Sequence, residues 1–188
     1  MKHLLATYFL YVQDPGAGIR RLLERRSFRQ ACLGYFVAAL SWVLFFNVGD
    51  QLSVFSLLFK LGLVFVAEVT AGYFVAALSG LFLDLRYVKV SSAQLFVLVG
   101  STGFLNALLI ACALISAAFA AAHLGWLMPL VVLGLFILKL VYLVRGLQYV
   151  WNVTVGDGVG AWLFGLIPVC VAFSLAGIFF IWFLVVLF

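Results

Sequence analysis

Apolar runs dominate this chain, and their lengths predict membrane-crossing helices. A helix needs about 20 apolar residues to cross the hydrocarbon core of a bilayer. Gln30 to Gly49 carries no charged side chain, and Val54 to Leu83 carries only Lys60 and Glu68. Val90 to Leu138 holds no Asp, Glu, Lys or Arg and is too long for one helix. Its break is expected at His123-Leu-Gly125-Trp126, with Pro129 just beyond, because Gly and Pro interrupt helices. Gly160 to Phe188 is again uncharged. The expected spans are 31–49, 54–83, 93–122, 126–144 and 160–188, preceded by a cytoplasmic segment, residues 1–30. The fold class is therefore all-α, an integral membrane bundle of five transmembrane helices with an N-terminal basic interfacial helix.

The polar positions orient these spans. Basic residues fall in the N-terminal segment, at Arg86 and Lys89 after span two, and at Arg145 after span four, with Lys139 just before it. The other loops hold Asp50 or His123 and no Lys or Arg. Cytoplasmic loops carry the excess of Lys and Arg, so the N-terminus is expected inside and the C-terminus outside. Leu4 to Val12 is followed by Asp14-Pro15 without a small-x-small cleavage site, so it is not read as a signal peptide. Asp14-Pro15 is a helix start. The helix that follows pairs Arg20 with Glu24 and has Ile19, Leu22 and Leu23 on one side. Arg20, Arg21, Arg25, Arg26 and Arg29 are the candidate contacts to anionic lipid headgroups.

Composition closes off other classes. Hydrophobic residues make up 68% of the 188 and charged residues 9%; soluble domains run near 45–50% and about 25%. A soluble enzyme, a disordered tail and a nucleic-acid module are excluded. The net charge of +5 comes largely from the Arg20–Arg29 cluster. No GxSxG, HExxH or P-loop is present, and His3 and His123 fall on opposite sides of the expected membrane. No catalytic residue, cofactor or metal site is expected. Cys32, Cys112 and Cys170 are far apart, each in an apolar stretch, and read as buried thiols. Val155-Gly-Asp-Gly-Val-Gly160 reads as a flexible turn, capped by Asp157, before the last span.

Glu68 stands apart. A carboxylate inside a span is costly and marks a functional site by default. Lys60, eight residues earlier, is about 12 Å away along the helix and is expected to turn outward. Lys139, Asn106 and Thr102 are better placed as partners, and Glu68, Lys60, Asn106 and Lys139 form the candidate intramembrane polar set. The competing reading is a hydrogen bond that locks two spans. A second feature is a repeat: Gly34-Tyr-Phe-Val-Ala-Ala-Leu-Ser41 recurs as Gly72-Tyr-Phe-Val-Ala-Ala-Leu-Ser79. Gly34 with Ala38, and Gly72 with Ala76, are spaced for close helix packing.

Three features resemble the Yip-type membrane proteins, named in eukaryotes as interactors of Ypt/Rab GTPases. They are Asp14-Pro15 with the basic helix leading into span one, the five-span layout, and Gly146-Leu-Gln-Tyr-Val-Trp-Asn-Val-Thr154 running on to Pro168 in the last span. The compact form resembles bacterial members. The long acidic N-terminus of eukaryotic members is absent, and Gly103-Phe-Leu-Asn106 stands where a proline is common, which separates GTPase binding from the resemblance. The resemblance implies a protein without enzyme activity. The expected function is that of an adaptor, assembly or membrane-organising protein of a bacterial inner membrane. It would contact anionic lipids and other membrane proteins or itself, and no nucleic acid. The alternative is a small proton- or ion-coupled transporter or channel using Glu68.

Overall fold

The computed structural model describes residues 15–24, 28–47, 53–118 and 128–187. Among them the chain is helical, without strands. In order, the elements are α1 (Pro15–Glu24), α2 (Phe28–Phe46), α3 (Val54–Leu85) and α4 (Ser92–Thr102), then a 3₁₀ turn (Gly103–Asn106), α5 (Ala107–Ala118), α6 (Met128–Trp151) and α7 (Val155–Leu187). Five helical runs are long and apolar enough to cross a membrane: Phe28–Phe46, Val54–Leu85, Ser92–Ile115, Met128–Trp151 and Val155–Phe179.

Several boundaries differ from the sequence reading. The first span begins at Phe28 and ends at Phe46 rather than covering 31–49. The second reaches Leu85. The third is interrupted: its helical ladder tightens to a 3₁₀ turn at Gly103–Asn106 and resumes at Ala107. The expected break at His123 to Trp126 lies outside the described residues. The fourth runs on to Trp151, because Gly146-Leu-Gln-Tyr-Val-Trp151 continues α6. The last starts at Val155, so the glycine-rich stretch is helix and not a turn. Local bonding explains this. Thr154 Oγ1 accepts from the Asp157 N–H at 3.2 Å and donates to Asp157 Oδ2 at 2.8 Å. That reciprocal cap satisfies an amide at the helix start and sets a carboxylate against the positive end of the helix dipole. Asn152, with φ of 54°, makes the reversal between α6 and α7, a conformation asparagine tolerates. Cys32 and Cys170 are exposed on the helix surfaces, not buried as expected, while Cys112 is half-buried.

Small residues set the packing. A Cβ at Gly34 would run into the Gly100 carbonyl, one at Gly103 into the Gly34 carbonyl, and one at Gly100 would lie 2.9 Å from Ala31 Cα. Here α2 meets α4 and the 3₁₀ turn backbone to backbone. The two copies of the repeated octapeptide bury the same small face: Gly34, Ala38 and Ser41 in α2, Gly72, Ala76 and Ser79 in α3. Their partners differ. Ser41 Oγ donates to Val37 O of its own helix at 2.6 Å. Ser79 Oγ crosses to Ala161 O of α7 at 2.9 Å. Gly165 leaves room for it, since a Cβ there would meet Ser79 Oγ. Replacing Ser79 with Ala is expected to lower stability by about 1 kcal/mol, the net worth of one buried hydrogen bond. Ser41→Ala is expected to be close to neutral. Denaturant titration of detergent-solubilised protein reads both, and equal values for the two would contradict the assignment.

Helix α1 is seated on one end of the bundle. Ile19 is 1% exposed. Gly146 makes space there: a Cβ on it would lie 2.8 Å from Leu98 and 3.5 Å from Ile19. Arg20 Nη2 donates to Tyr149 O at 3.2 Å, meeting the last, otherwise unpaired carbonyls of α6. The same end carries exposed Arg29, Lys89 and Arg145. It also carries Arg86, which lies 3.6 Å from Asp157 through Nε. Arg25 and Arg26 lie outside the described residues.

Candidate functional site

Among the described residues, a half-open cavity of about 280 Å³ lies between the five long helical runs. All five contribute to it: Tyr35 from α2; Glu68, Gly72 and Val75 from α3; Val99, Thr102 and Gly103 from α4 and the turn; Phe136 and Lys139 from α6; Trp162, Val169 and Phe173 from α7. Glu68 and Lys139 lie near the midpoints of α3 and α6. They are the only ionised-type carboxyl and amine on a lining that is otherwise mainly apolar.

Two local devices shape its walls. Tyr35 donates from its hydroxyl to Phe96 O at 3.2 Å, and its ring lies 5.0 Å from the Phe96 ring. Its far edge rests on Gly72, where any Cβ would collide with the ring. The equivalent residue in the second octapeptide copy, Tyr73, is 61% exposed. Identical letters thus face a cavity in one copy and the outside in the other. The second device is the change from α-helix to 3₁₀ at Gly103. Thr102 Oγ1 turns back to Val99 O at 2.7 Å and offers the cavity no free hydroxyl proton.

The sequence-predicted polar set divides into three places. Glu68 and Lys139 come together on the cavity, but form no ion pair within 4.0 Å. Neither makes a hydrogen bond to another described residue. Lys60 stays away from them: its Nζ donates to Asn47 Oδ1, and Asn47 Nδ2 donates to Val43 O at 2.7 Å. That chain of bonds ties the start of α3 to the end of α2. Asn106 is fully buried at the end of the 3₁₀ turn, off the cavity, and neither amide atom has a partner among the described residues. Among the described residues no group of three or more His, Cys, Asp or Glu is spaced to hold a metal ion.

Sequence reasoning missed Tyr35, Trp162 and Asn47. Tyr35 and Trp162 are two aromatics among 32; the repeat marks Tyr35 and Tyr73 alike, and nothing in the sequence tells which of them faces inward. Asn47 carries a faint signal, as the last polar side chain before a loop, 13 residues from an intraspan lysine.

The cavity is walled unequally. Toward the α1 end it is closed by the Ser79–Ala161 bond, by Phe82 packed on Gly160, and by buried Trp162. Toward the other end, every residue of α7 from Cys170 to Phe179 is exposed, and α3 has no buried residue from Val54 to Ala71. On that side, α3, which carries Glu68, and α7 are thinly covered by the described residues. No family model matches this chain, and neither does a curated protein or a solved structure.

Proposed function

We propose that this chain is a small multi-pass membrane carrier, proton- or ion-coupled, with Glu68 as the coupling group and Lys139 as its counter-charge. One observation carries the reading: a carboxylate and an amine, each near the middle of its own span, face one cavity to which all five spans contribute. Ionisable groups at that depth are costly, face bundle interiors and mark substrate or proton pathways. A helix interrupted beside the cavity fits the same reading, because carriers place sites at broken helices near the bilayer midplane. The chemistry asked of Glu68 is to take up and release a proton or cation, not to break a bond, so no enzyme activity is proposed.

The test is flux. Protein in liposomes, driven by an imposed pH gradient, is expected to move protons or alkali cations. Glu68→Gln keeps the side chain's shape and hydrogen bonding and removes the ionisable proton. Flux should fall at least tenfold while the protein elutes and melts as a folded species. Unchanged flux in a folded Glu68→Gln protein would remove Glu68 from the mechanism.

A second reading, a membrane-organising protein acting through lipid and helix contacts, is favoured by a different observation. Exposed Arg20, Arg29, Arg86, Lys89 and Arg145 gather at the end where α1 is seated. That gathering supports an N-terminus-inside orientation on an anionic leaflet, such as a bacterial inner membrane.

A further inference from the structure

We infer that the cavity takes a small zwitterion, a molecule bearing one ammonium and one acid anion on an apolar body. This rests on the proposed carrier reading and names the substrate class of the same site. The argument begins with charge. Glu68 and Lys139 share one cavity and do not touch. Two half-buried opposite charges on a mainly apolar lining feel each other only across a gap, and neither has a hydrogen-bonding partner among the described residues. Whatever occupies the space between them must satisfy both. A simple cation would answer Glu68 and leave Lys139 unpaired, and a simple anion would do the reverse. Either would also carry net charge into the middle of the bundle, where charge is most expensive. A net-neutral zwitterion meets the carboxylate with its ammonium and the amine with its anion.

The rest of the lining fixes the ligand's body. Val75, Leu140, Phe136, Val169 and Phe173 surround the two charges with hydrocarbon. A volume of about 280 Å³ lies near the lower end for small-molecule sites, enough for an aromatic or branched amino acid. The shared chemistry has two sources. One is a free hydrophobic amino acid. The other is the ammonium-phosphate head of a lipid, for which the thinly covered flanks of α3 and α7 give a route from the bilayer.

The experiment uses the full chain in phosphatidylglycerol nanodiscs. Binding of phenylalanine is compared with phenethylamine, which lacks the carboxylate, and phenylpropionate, which lacks the ammonium. Phenylalanine is expected to bind at least tenfold tighter than either. In Glu68→Gln the loss should fall on phenylalanine and phenethylamine and spare phenylpropionate; in Lys139→Gln it should fall on phenylalanine and phenylpropionate. Misfolding would lower all three ligands together, so the crossover is not a folding effect. If either variant fails to fold, the three ligands on the wild-type protein still decide. Phosphatidylethanolamine is then added to the nanodiscs. Its selective retention on native mass spectrometry, without phenylalanine binding, assigns the lipid source and supports the proposal. Equal binding of all three probes, or retention of neither zwitterion, overturns it. Flux that still depends on Glu68 when no zwitterion binds would leave the carrier reading standing and sink this inference alone.

Discussion

Gly34→Val is expected to abolish folding of the bundle, or to lower its stability by more than about 3 kcal/mol, at the upper end of overpacking costs. The reason lies in what the new side chain would meet. It is the Gly100 carbonyl, part of a helix backbone, and not the tip of a side chain that can swing away. The neighbouring contacts prevent a rigid shift. Gly103 already sits against the Gly34 backbone, and Gly100 already sits against Tyr35 and Ala31. Moving α4 away from α2 to admit one isopropyl group would open all of them, and would pull the Tyr35 hydroxyl from Phe96 O. Gly62 and Gly134 are the controls. Both lie in helices, and an added Cβ at either meets nothing within 4 Å. Gly→Ala at these two is expected to be neutral or to stabilise by up to about 1 kcal/mol, the helix-propensity difference. Fluorescence-detected size-exclusion after heating measures all three variants. A Gly34→Val protein as stable as Gly62→Ala would show that the α2–α4 crossing is not closed as described.

The sequence carried some of this and could not carry the rest. The number of helices long and apolar enough to cross a membrane was legible because run length against bilayer thickness is a one-dimensional quantity. The small face of the repeated octapeptide was legible because Gly and Ala four apart have one geometric use in a helix packed among others. Which helix each copy would meet was not. In a soluble helix the outward face is polar and the pattern shows which side is buried. Here the outward positions, such as Phe36, Phe74 and Leu81, are as apolar as the buried Val75 and Leu83, so no periodicity separates inside from outside. Helix ends were misread where polar, glycine-rich sequence continued a helix. Val155–Gly160 looked like a turn by composition, and a side-chain cap from Thr154 makes it helix. The candidate site was half legible. Glu68 and Lys139 declared themselves by cost, but their meeting depends on the rotation of α3 and α6 about their axes. The separation of Lys60 from the pair depends on Asn47 lying across the hairpin.

The two charges should also be coupled in stability, which gives a measurement independent of transport. Lys139→Gln leaves Glu68 without its counter-charge, and Glu68→Gln does the same to Lys139. At an effective dielectric near 20, unit charges 4 Å apart interact by about 4 kcal/mol, and the energy falls inversely with distance. The pair is farther apart than an ion pair, so each single variant is expected to lose roughly 1–3 kcal/mol. The double variant Glu68→Gln/Lys139→Gln removes both charges and has nothing left to compensate. It should recover most of that loss, because neutral amides of similar volume cost less in an apolar enclosure than one bare charge. The interaction energy from the cycle should therefore exceed about 1 kcal/mol, well outside the additivity expected of independent sites. Strict additivity would mean that the charges do not feel each other across the cavity. It would count against Lys139 as the counter-charge even if Glu68→Gln alone stopped the flux. A coupled pair whose double variant is stable yet inactive would separate the cost of keeping two charges in the bundle from the work they do there, since stability returns and transport does not.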